Sequence, residues 1–113
     1  MISLQNKLSQ VGIMLAGIDT HTYHYWRSAP KGVKAYIVWA EDEEATSLNG
    51  DNLKQEQGIH GTIDYFTKTE FDAKVDSIQE GLNSLEGVSW RINSVQYEEE
   101  TTFIHYEWEF WVR

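Results

Sequence analysis

Apolar side chains recur at helical spacing after Thr69 and then alternate along the last ten residues of the chain. The helical set lies on one face, because residues three and four apart are neighbours on a helix: Phe71, Val75, Ile78, Leu82 and Leu85. The alternating set has the period of a strand with one buried face: Ile104, Tyr106, Trp108, Phe110 and Val112. The pattern predicts that the helix buries its apolar face on this strand.

The N-terminal part predicts one helix and one short strand. Ser3 is a typical N-cap residue. Apolar residues follow it at helical spacing: Leu4, Leu8, Val11 and Leu15. Gly17 is a natural terminator for this helix. A strand is expected over His21–Arg27, followed by a turn at Ser28–Gly32, where proline and glycine break the pattern.

The middle of the chain predicts a long hairpin. Val33–Ala40 is apolar on both faces, which is typical of a central strand, and the charged run 41–44 ends that pattern. Asn49 and Gly50 form a strong hairpin signal, and the returning strand covers Gly58–Thr67. We therefore expect a hairpin over residues 33–67 whose polar tip, residues 41–57, projects beyond the body.

The last third predicts a capped helix and a bulged hairpin. Thr67 or Thr69 caps the second helix, Thr67 forms a capping box with Glu70, and Gly87 ends the helix. The following strand changes phase by one residue at 93–94, which predicts a β-bulge, and Glu98–Thr102 makes the final turn. The expected fold is a single α+β domain, residues 1–113, with a mostly antiparallel sheet of about five strands and two helices on one face.

Charge and composition narrow the function. Nine basic against 18 acidic residues give a net charge of −9, which disfavours sequence-independent nucleic-acid binding. The chain has no cysteine, so thiolate catalysis and disulfides are excluded. No basic leader or run of about 20 apolar residues is present, so we expect synthesis in a cytoplasm and no membrane association.

Motifs for catalysis, cofactors or metals are weak. His21 and His24 fall on opposite sides of a strand, and the acidic run with Asp51 misses the ligand order of a calcium loop. Glu107 and Glu109 share a strand face and are expected to form its polar side or to pair with Arg91. With no phosphate loop or nucleophile motif, we expect no catalytic residue, cofactor or metal.

Aromatic residues are abundant, with five Trp, six Tyr and four Phe. By alternation, Phe66, Phe103 and Trp111 fall on the side of the sheet away from the helices, as does either Tyr36 or Trp39. Two interpretations stay open: a core rich in rings, or rings buried against another protein.

The chain resembles the small tail-completion proteins of long-tailed bacteriophages and prophages, also called tail terminators or head–tail joining proteins. The resemblance lies in a polar hairpin turn, an aromatic strand and the helix behind them: Asn49-Gly50-Asp51-Asn52, Gly58-Ile59-His60-Gly61-Thr62-Ile63-Asp64-Tyr65-Phe66-Thr67-Lys68, Glu70, Phe71, Asp72, Val75, Ile78 and Leu82. The order of elements matches over most of residues 20–113.

The resemblance implies a subunit of a ring, commonly of six copies, in the neck of a virion. Its partners would be further copies, the tail-tube protein and the head connector. It implies no active site or cofactor, and no specific nucleic-acid binding, although DNA passes through the ring. The candidate subunit interface comprises Phe66, Phe103, Trp111, Asn49 and Gly50. The candidate docking or lumen segment comprises Glu41, Asp42, Glu43 and Glu44.

A second class of function fits the same composition. A small acidic binding module, such as an adaptor or an immunity-type protein, would mask a basic partner with its negative charge.

Overall fold

The fold is described from a computed structural model, which covers residues 3–25, 28–45 and 58–113. In chain order the elements are α1 (Leu4–Ile18), β1 (Thr22–His24), β2 (Ala35–Glu44), β3 (Ile59–Thr67), α2 (Ala73–Ser84), β4 (Val88–Glu98) and β5 (Phe103–Val112). The five strands form one sheet in the order β1-β2-β3-β5-β4. All neighbours are antiparallel except β1 and β2, so the α+β fold with a mostly antiparallel sheet is confirmed.

Both helices contribute to the main core, on what we call the helix side of the sheet. Leu8, Val11 and Leu15 of α1 and Ile78 and Leu82 of α2 pack with the inward residues of the strands. Those inward residues are Ile37, Trp39, Ile63, Tyr65, Trp108, Phe110 and Val112. The predicted packing of the second helix on the last strand is therefore confirmed.

The opposite side of the sheet, here the second face, carries a smaller apolar cluster. Tyr36, Val38 and Phe103 are buried there, with Phe66 packed against them. Of the two alternatives, Tyr36 lies on this face and Trp39 lies in the main core.

The second helix begins later than the sequence predicts. Its N-cap is Asp72, whose carboxylate accepts a hydrogen bond from the Lys74 backbone N–H at 2.9 Å. The Tyr65 and Thr67 hydroxyls also donate to this carboxylate, at 2.5 and 2.7 Å, so Thr67 supports the cap without being the cap. Phe71 consequently precedes α2, at a positive φ of 57°, and is 90% exposed. Its assignment to the buried helix face was wrong.

The acidic run belongs to a strand, contrary to the prediction that it begins a polar tip. Glu41, Glu43 and Glu44 pair with residues of β3, with a register shift between Glu41 and Glu43. Backbone hydrogen bonding between the two segments continues beyond the strand, since the Ala45 N–H donates to the Gly58 carbonyl at 2.9 Å. The predicted turn at Asn49 and Gly50 lies outside the described residues, and a projecting hairpin is not confirmed.

The first strand is shorter than predicted and runs parallel to β2. It ends at His24 because Tyr25 takes a positive φ of 73°, which leaves the extended conformation. The end of the predicted strand, at Trp26 and Arg27, falls outside the described residues. Helix α1 runs through Gly17, which was expected to lie just past its end, and continues to Ile18, with Asp19 as its C-cap.

The final hairpin agrees with the prediction. The register of β4 against β5 shifts between Ile92 and Ser94, which confirms the bulge. Of the two helices in the described part of the chain, neither is long and apolar enough to cross a membrane.

Candidate interaction surfaces

An apolar strip lies uncovered on β4, at one edge of the sheet. Ile92, Val95 and Tyr97 stand opposite Trp108, Tyr106 and Ile104, so they point to the helix side. They are 44%, 53% and 61% exposed, whereas Val88 and Trp90, earlier on the same strand, pack against the core. The helices therefore cover only the first part of β4, and we call the three exposed residues the β4 strip.

The backbone edge beside the strip is also open. Among the described residues, β4 pairs with β5 and with no other strand. An unpaired edge offers a row of N–H and C=O groups to another chain, and proteins usually protect it with lysine, proline or a bulge. Over its eleven residues β4 has no lysine or proline, only the bulge after Ile92. This edge is weakly protected against association.

A groove lies at the opposite edge of the sheet, between α1 and the β1–β2 pair. It has a volume of about 380 Å³, and Leu8, Gly12 and Trp39 are among the residues that line it. Ile13 is also part of the lining and is 70% exposed. We call this cavity the α1 groove.

Gly12 sets how closely α1 approaches the sheet. A Cβ atom at this position would lie 2.6 Å from Cζ2 of Trp39, which is closer than carbon atoms can pack. The tryptophan ring is stacked on its other neighbour, His24, with ring centroids 3.9 Å apart. The flat floor of the α1 groove therefore depends on glycine at position 12.

One carboxylate stands at the mouth of the groove. Glu41 interacts with His24 Nε2 at 2.6 Å and accepts a hydrogen bond from the Tyr25 hydroxyl at 3.2 Å. Burial alone would raise the pKa of Glu41, but these hydrogen bonds and the charge of His24 outweigh it and lower the pKa. The charge of Glu41 in turn raises the pKa of Tyr25. Glu41, the only acid in the described part of the groove lining, is thus already partnered.

The second face carries a histidine held between carboxylates of two strands. His60 contacts Asp42 through Nδ1 at 2.6 Å and Glu109 through Nε2 at 3.1 Å. Burial alone would lower the pKa of His60, but the hydrogen bonds and charges of the two acids raise it overall. Arg91 donates to the other oxygen of Glu109 at 2.6 Å, which confirms the predicted pairing of that strand face with Arg91.

A second histidine repeats the arrangement nearer the final turn. His105 contacts Asp64 through Nε2 at 2.7 Å and Glu98 through Nδ1 at 3.7 Å, and its ring stacks on Phe66. Burial opposes protonation, but Asp64 together with the charges of Glu98 and Glu107 raises the pKa of His105. The second face is therefore acidic, with its histidines placed to carry compensating charge.

Two groups on this face could hold a metal ion by geometry, with ligand atoms within 4.8 Å of one another: Asp42, Glu43 and His60, and Asp64, His105 and Glu107. His60, however, meets a carboxylate at each ring nitrogen. A histidine that donates from both nitrogens is protonated and has no lone pair left for a metal. The position of His60 between Asp42 and Glu109 therefore suits a pair of ion pairs.

The residues predicted as a subunit interface do not form one exposed patch. Phe103 is only 5% exposed, because it packs against Tyr36 and Phe66 of its own chain. Trp111 lies apart from that cluster, beside His60, with ring centroids 5.4 Å apart. Asn49 and Gly50 lie outside the described residues. The predicted acidic segment divides: Glu41 faces the α1 groove and Asp42 faces the second face.

The β4 strip and the α1 groove were not predicted as surfaces. The only sign of the strip in the sequence was the change of phase around the bulge. That change shows to which side of the sheet the side chains point, but not whether a helix covers them. The groove depends on the distance between α1 and β2, and Gly12 was the only residue in the sequence that pointed to a close approach.

Comparison with known proteins gives a limited result. No family model matches the chain, and no curated protein matches it. Among solved structures, a chain from "Virion of native gene transfer agent (GTA) particle" is similar with 13% sequence identity and a TM-score of 0.49. The alignment covers 98% of this chain and 90% of that chain. At this identity and TM-score, the likeness carries no argument about function.

Proposed function

We propose that this protein is a structural subunit of a phage-type tail that forms a ring at its head-proximal end and catalyses no reaction. The ring would contain six copies, contact the tail-tube protein on one side and the head connector on the other, and reside in the virion neck after synthesis in the host cytoplasm. The resemblance of residues 49–82 to tail-completion proteins is the sequence support for this proposal.

One structural observation carries the proposal: uncovered apolar surface lies at both edges of the sheet. The β4 strip occupies one edge and the α1 groove the other. A subunit with two different contact surfaces associates head to tail, and such a contact closes into a ring when its rotation divides the circle. Exposed apolar surface of this kind is often found where a protein contacts a partner.

The charge distribution supports a passage for DNA. Among the described residues six carboxylates lie on the second face, more than the Arg91 and Lys68 cations and the two histidines there can balance: Asp42, Glu43, Asp64, Glu98, Glu107 and Glu109. If this face lines the lumen, its negative charge repels the phosphate backbone, so that DNA moves through without binding.

Electron microscopy of the purified protein tests this function. We expect closed rings of uniform diameter, with the copy number given by native mass spectrometry of the same sample. A protein that stays monomeric alone and also fails to form a ring on purified tail tubes would contradict the proposal.

The acidity of the second face favours a second candidate function. A face with an excess of carboxylates would also suit a monomeric module that masks a basic partner protein. Gene order separates the two candidates: neighbouring genes for capsid and tail proteins support the ring, and a neighbouring gene for a basic toxin supports the module.

A further inference from the structure

The β4 strip and the α1 groove lie on the same side of the sheet. Ile92, Val95 and Tyr97 share the helix side with the core residues of β5, and the groove is formed by α1 above Trp39, which is also a helix-side residue. Two copies placed edge to edge, with their helix sides facing the same way, therefore bring the strip of one copy towards the groove of the next.

Most of the side chains that form the two surfaces are uncharged. The helix-side residues of β4, from Trp90 to Tyr97, are all uncharged. Among the described residues that line the groove, Glu41 is the only acid, and it is held by His24 and Tyr25. In a chain with a net charge of −9, like-charge repulsion disfavours contact between copies over most of the surface. The uncharged side chains of the β4 strip therefore add no repulsion of their own to such a contact.

The strip and the lining of the groove are both largely apolar. The strip presents side chains that stand out from an edge strand, and the most exposed of them is Tyr97. The groove has room for large side chains in its volume of about 380 Å³, over an apolar floor of Leu8 and Trp39. Aromatic anchors that fill pockets carry much of the energy of protein interfaces, and tyrosine is one of the residues enriched there.

We infer that the β4 strip of one copy packs into the α1 groove of the next copy, as the repeated head-to-tail contact of the ring. This inference rests on the proposed function and assigns the contact to residues. It differs from the sequence-based hypothesis, in which the aromatic second face around Phe66, Phe103 and Trp111 meets the hairpin around Asn49 and Gly50.

Two double variants remove the two halves of the contact separately. Val95→Lys with Tyr97→Lys changes the strip, and Ile13→Lys with Ala16→Arg changes the groove. All four positions are exposed, so the core is not altered. Each double variant adds two positive charges, which lowers the repulsion between copies, so that a loss of assembly cannot be attributed to charge accumulation. Phe71→Lys is the matched control, since it changes a 90% exposed residue outside both surfaces.

The decisive measurement is native mass spectrometry of each variant alone and of the two double variants mixed in equal amounts. We expect each double variant to be monomeric and the mixture to give a heterodimer and nothing larger, because one intact strip then meets one intact groove. Phe71→Lys and Trp111→Glu should assemble like the wild type. Circular dichroism checks folding, and Tyr97→Gln and Ala16→Ser replace any variant that unfolds, with assembly at least tenfold weaker as the expected result.

The other outcomes are distinguishable. Wild-type rings together with unimpaired assembly of either double variant would overturn this contact and leave the ring function standing. Loss of assembly in both variants without a heterodimer in the mixture would also overturn it, because a strip–groove contact must be restored by mixing. A wild type that remains monomeric, alone and on tail tubes, would overturn the proposed function and this contact with it.

Discussion

At the scale of single residues, the protonation state of His60 affects how strongly the strands of the second face are held together. The ring stands between Asp42 of β2 and Glu109 of β5, while its own backbone belongs to β3. The protonated ring therefore links three strands. When it loses its proton, two carboxylates are left facing it, and only Arg91 remains beside Glu109.

The first prediction follows from the raised pKa of His60. Because the pKa is higher in the folded than in the unfolded chain, the stabilisation is complete below the unfolded value of about 6.5 and is lost as the pH rises through the folded value. The free energy of unfolding of the wild type should therefore approach that of His60→Gln as the pH rises from the unfolded value through the raised folded pKa. Denaturant titrations of both proteins across this range measure the difference.

An NMR titration of the imidazole tests the cause. The pKa of His60 should be above the ordinary histidine value in the wild type and should fall in Glu109→Gln, where one of the two acids is neutral. An unchanged titration in Glu109→Gln would show that the contact with Glu109 does not hold the proton.

Asp72 shows why the start of a helix was predicted in the wrong place. The spacing of Phe71 fits the helical apolar face, and Thr67 with Glu70 fits a capping box, so local pattern alone favours an earlier start. Asp72 ends this competition because its carboxylate receives hydrogen bonds from Tyr65 and Thr67 of β3 as well as from α2 itself. Those hydrogen bonds and the charge of Lys74 lower its pKa, against the effect of burial. Such tertiary contacts are not visible in residue spacing.

At the scale of elements, the distance between α1 and the sheet is set by one glycine. Gly12 and Gly17 both lie in α1, but a Cβ at Gly12 would meet the Trp39 ring at 2.6 Å, whereas nothing lies within 4 Å of one at Gly17. The two positions therefore separate packing from helix propensity.

We predict opposite effects for the same substitution at these positions. Gly17→Ala should stabilise the protein by about 0.5–1 kcal/mol, because alanine loses less entropy than glycine in a helix. Gly12→Ala should destabilise it by about 1–3 kcal/mol, the usual effect of forcing a methyl group into a packed site. Chemical denaturation measures both. Equal effects of the two substitutions would show that α1 does not contact Trp39 closely.

The packing of α2 on the sheet gives a third prediction. Leu82 is fully buried in the cluster that contains Trp108. Leu82→Ala should lower the free energy of unfolding by about 2–5 kcal/mol, because it removes buried methyl groups and leaves a cavity. Ile13→Ala, at a site that is 70% exposed, should change it by less than about 0.5 kcal/mol. A denaturation midpoint unaffected by Leu82→Ala would contradict the described core.

Most helices and strands could be predicted from the sequence. The predictions that failed depend on contacts between elements, which residue spacing does not show. Alternation correctly assigned Trp108 and Phe110 to the core, and the phase change gave the bulge after Ile92. The parallel direction of β1 could not be predicted, because three residues do not specify a partner strand. The β4 strip and the α1 groove depend on which parts of the sheet the helices leave uncovered, and coverage is a property of packing.

At the scale of the whole molecule, assembly is a balance between apolar edges and accumulated charge. In the proposed ring, each added copy would bring a further net charge of −9, and each contact would cover one strip and one groove. Salt screens exposed charges over a Debye length of about 8–10 Å at physiological strength and leaves apolar contacts intact. Salt should therefore favour the ring, in contrast to an interface held by ion pairs.

The central claim is that this protein closes into a ring of defined size, and light scattering across a salt series tests it most directly. At a fixed protein concentration, we expect the weight-average mass to rise with salt in one discrete step, from the monomer to a single plateau that further protein does not raise. A mass that increases continuously with protein concentration would indicate open filaments and contradict ring closure. A mass that stays at the monomer value at every salt and protein concentration would contradict self-association of the free protein.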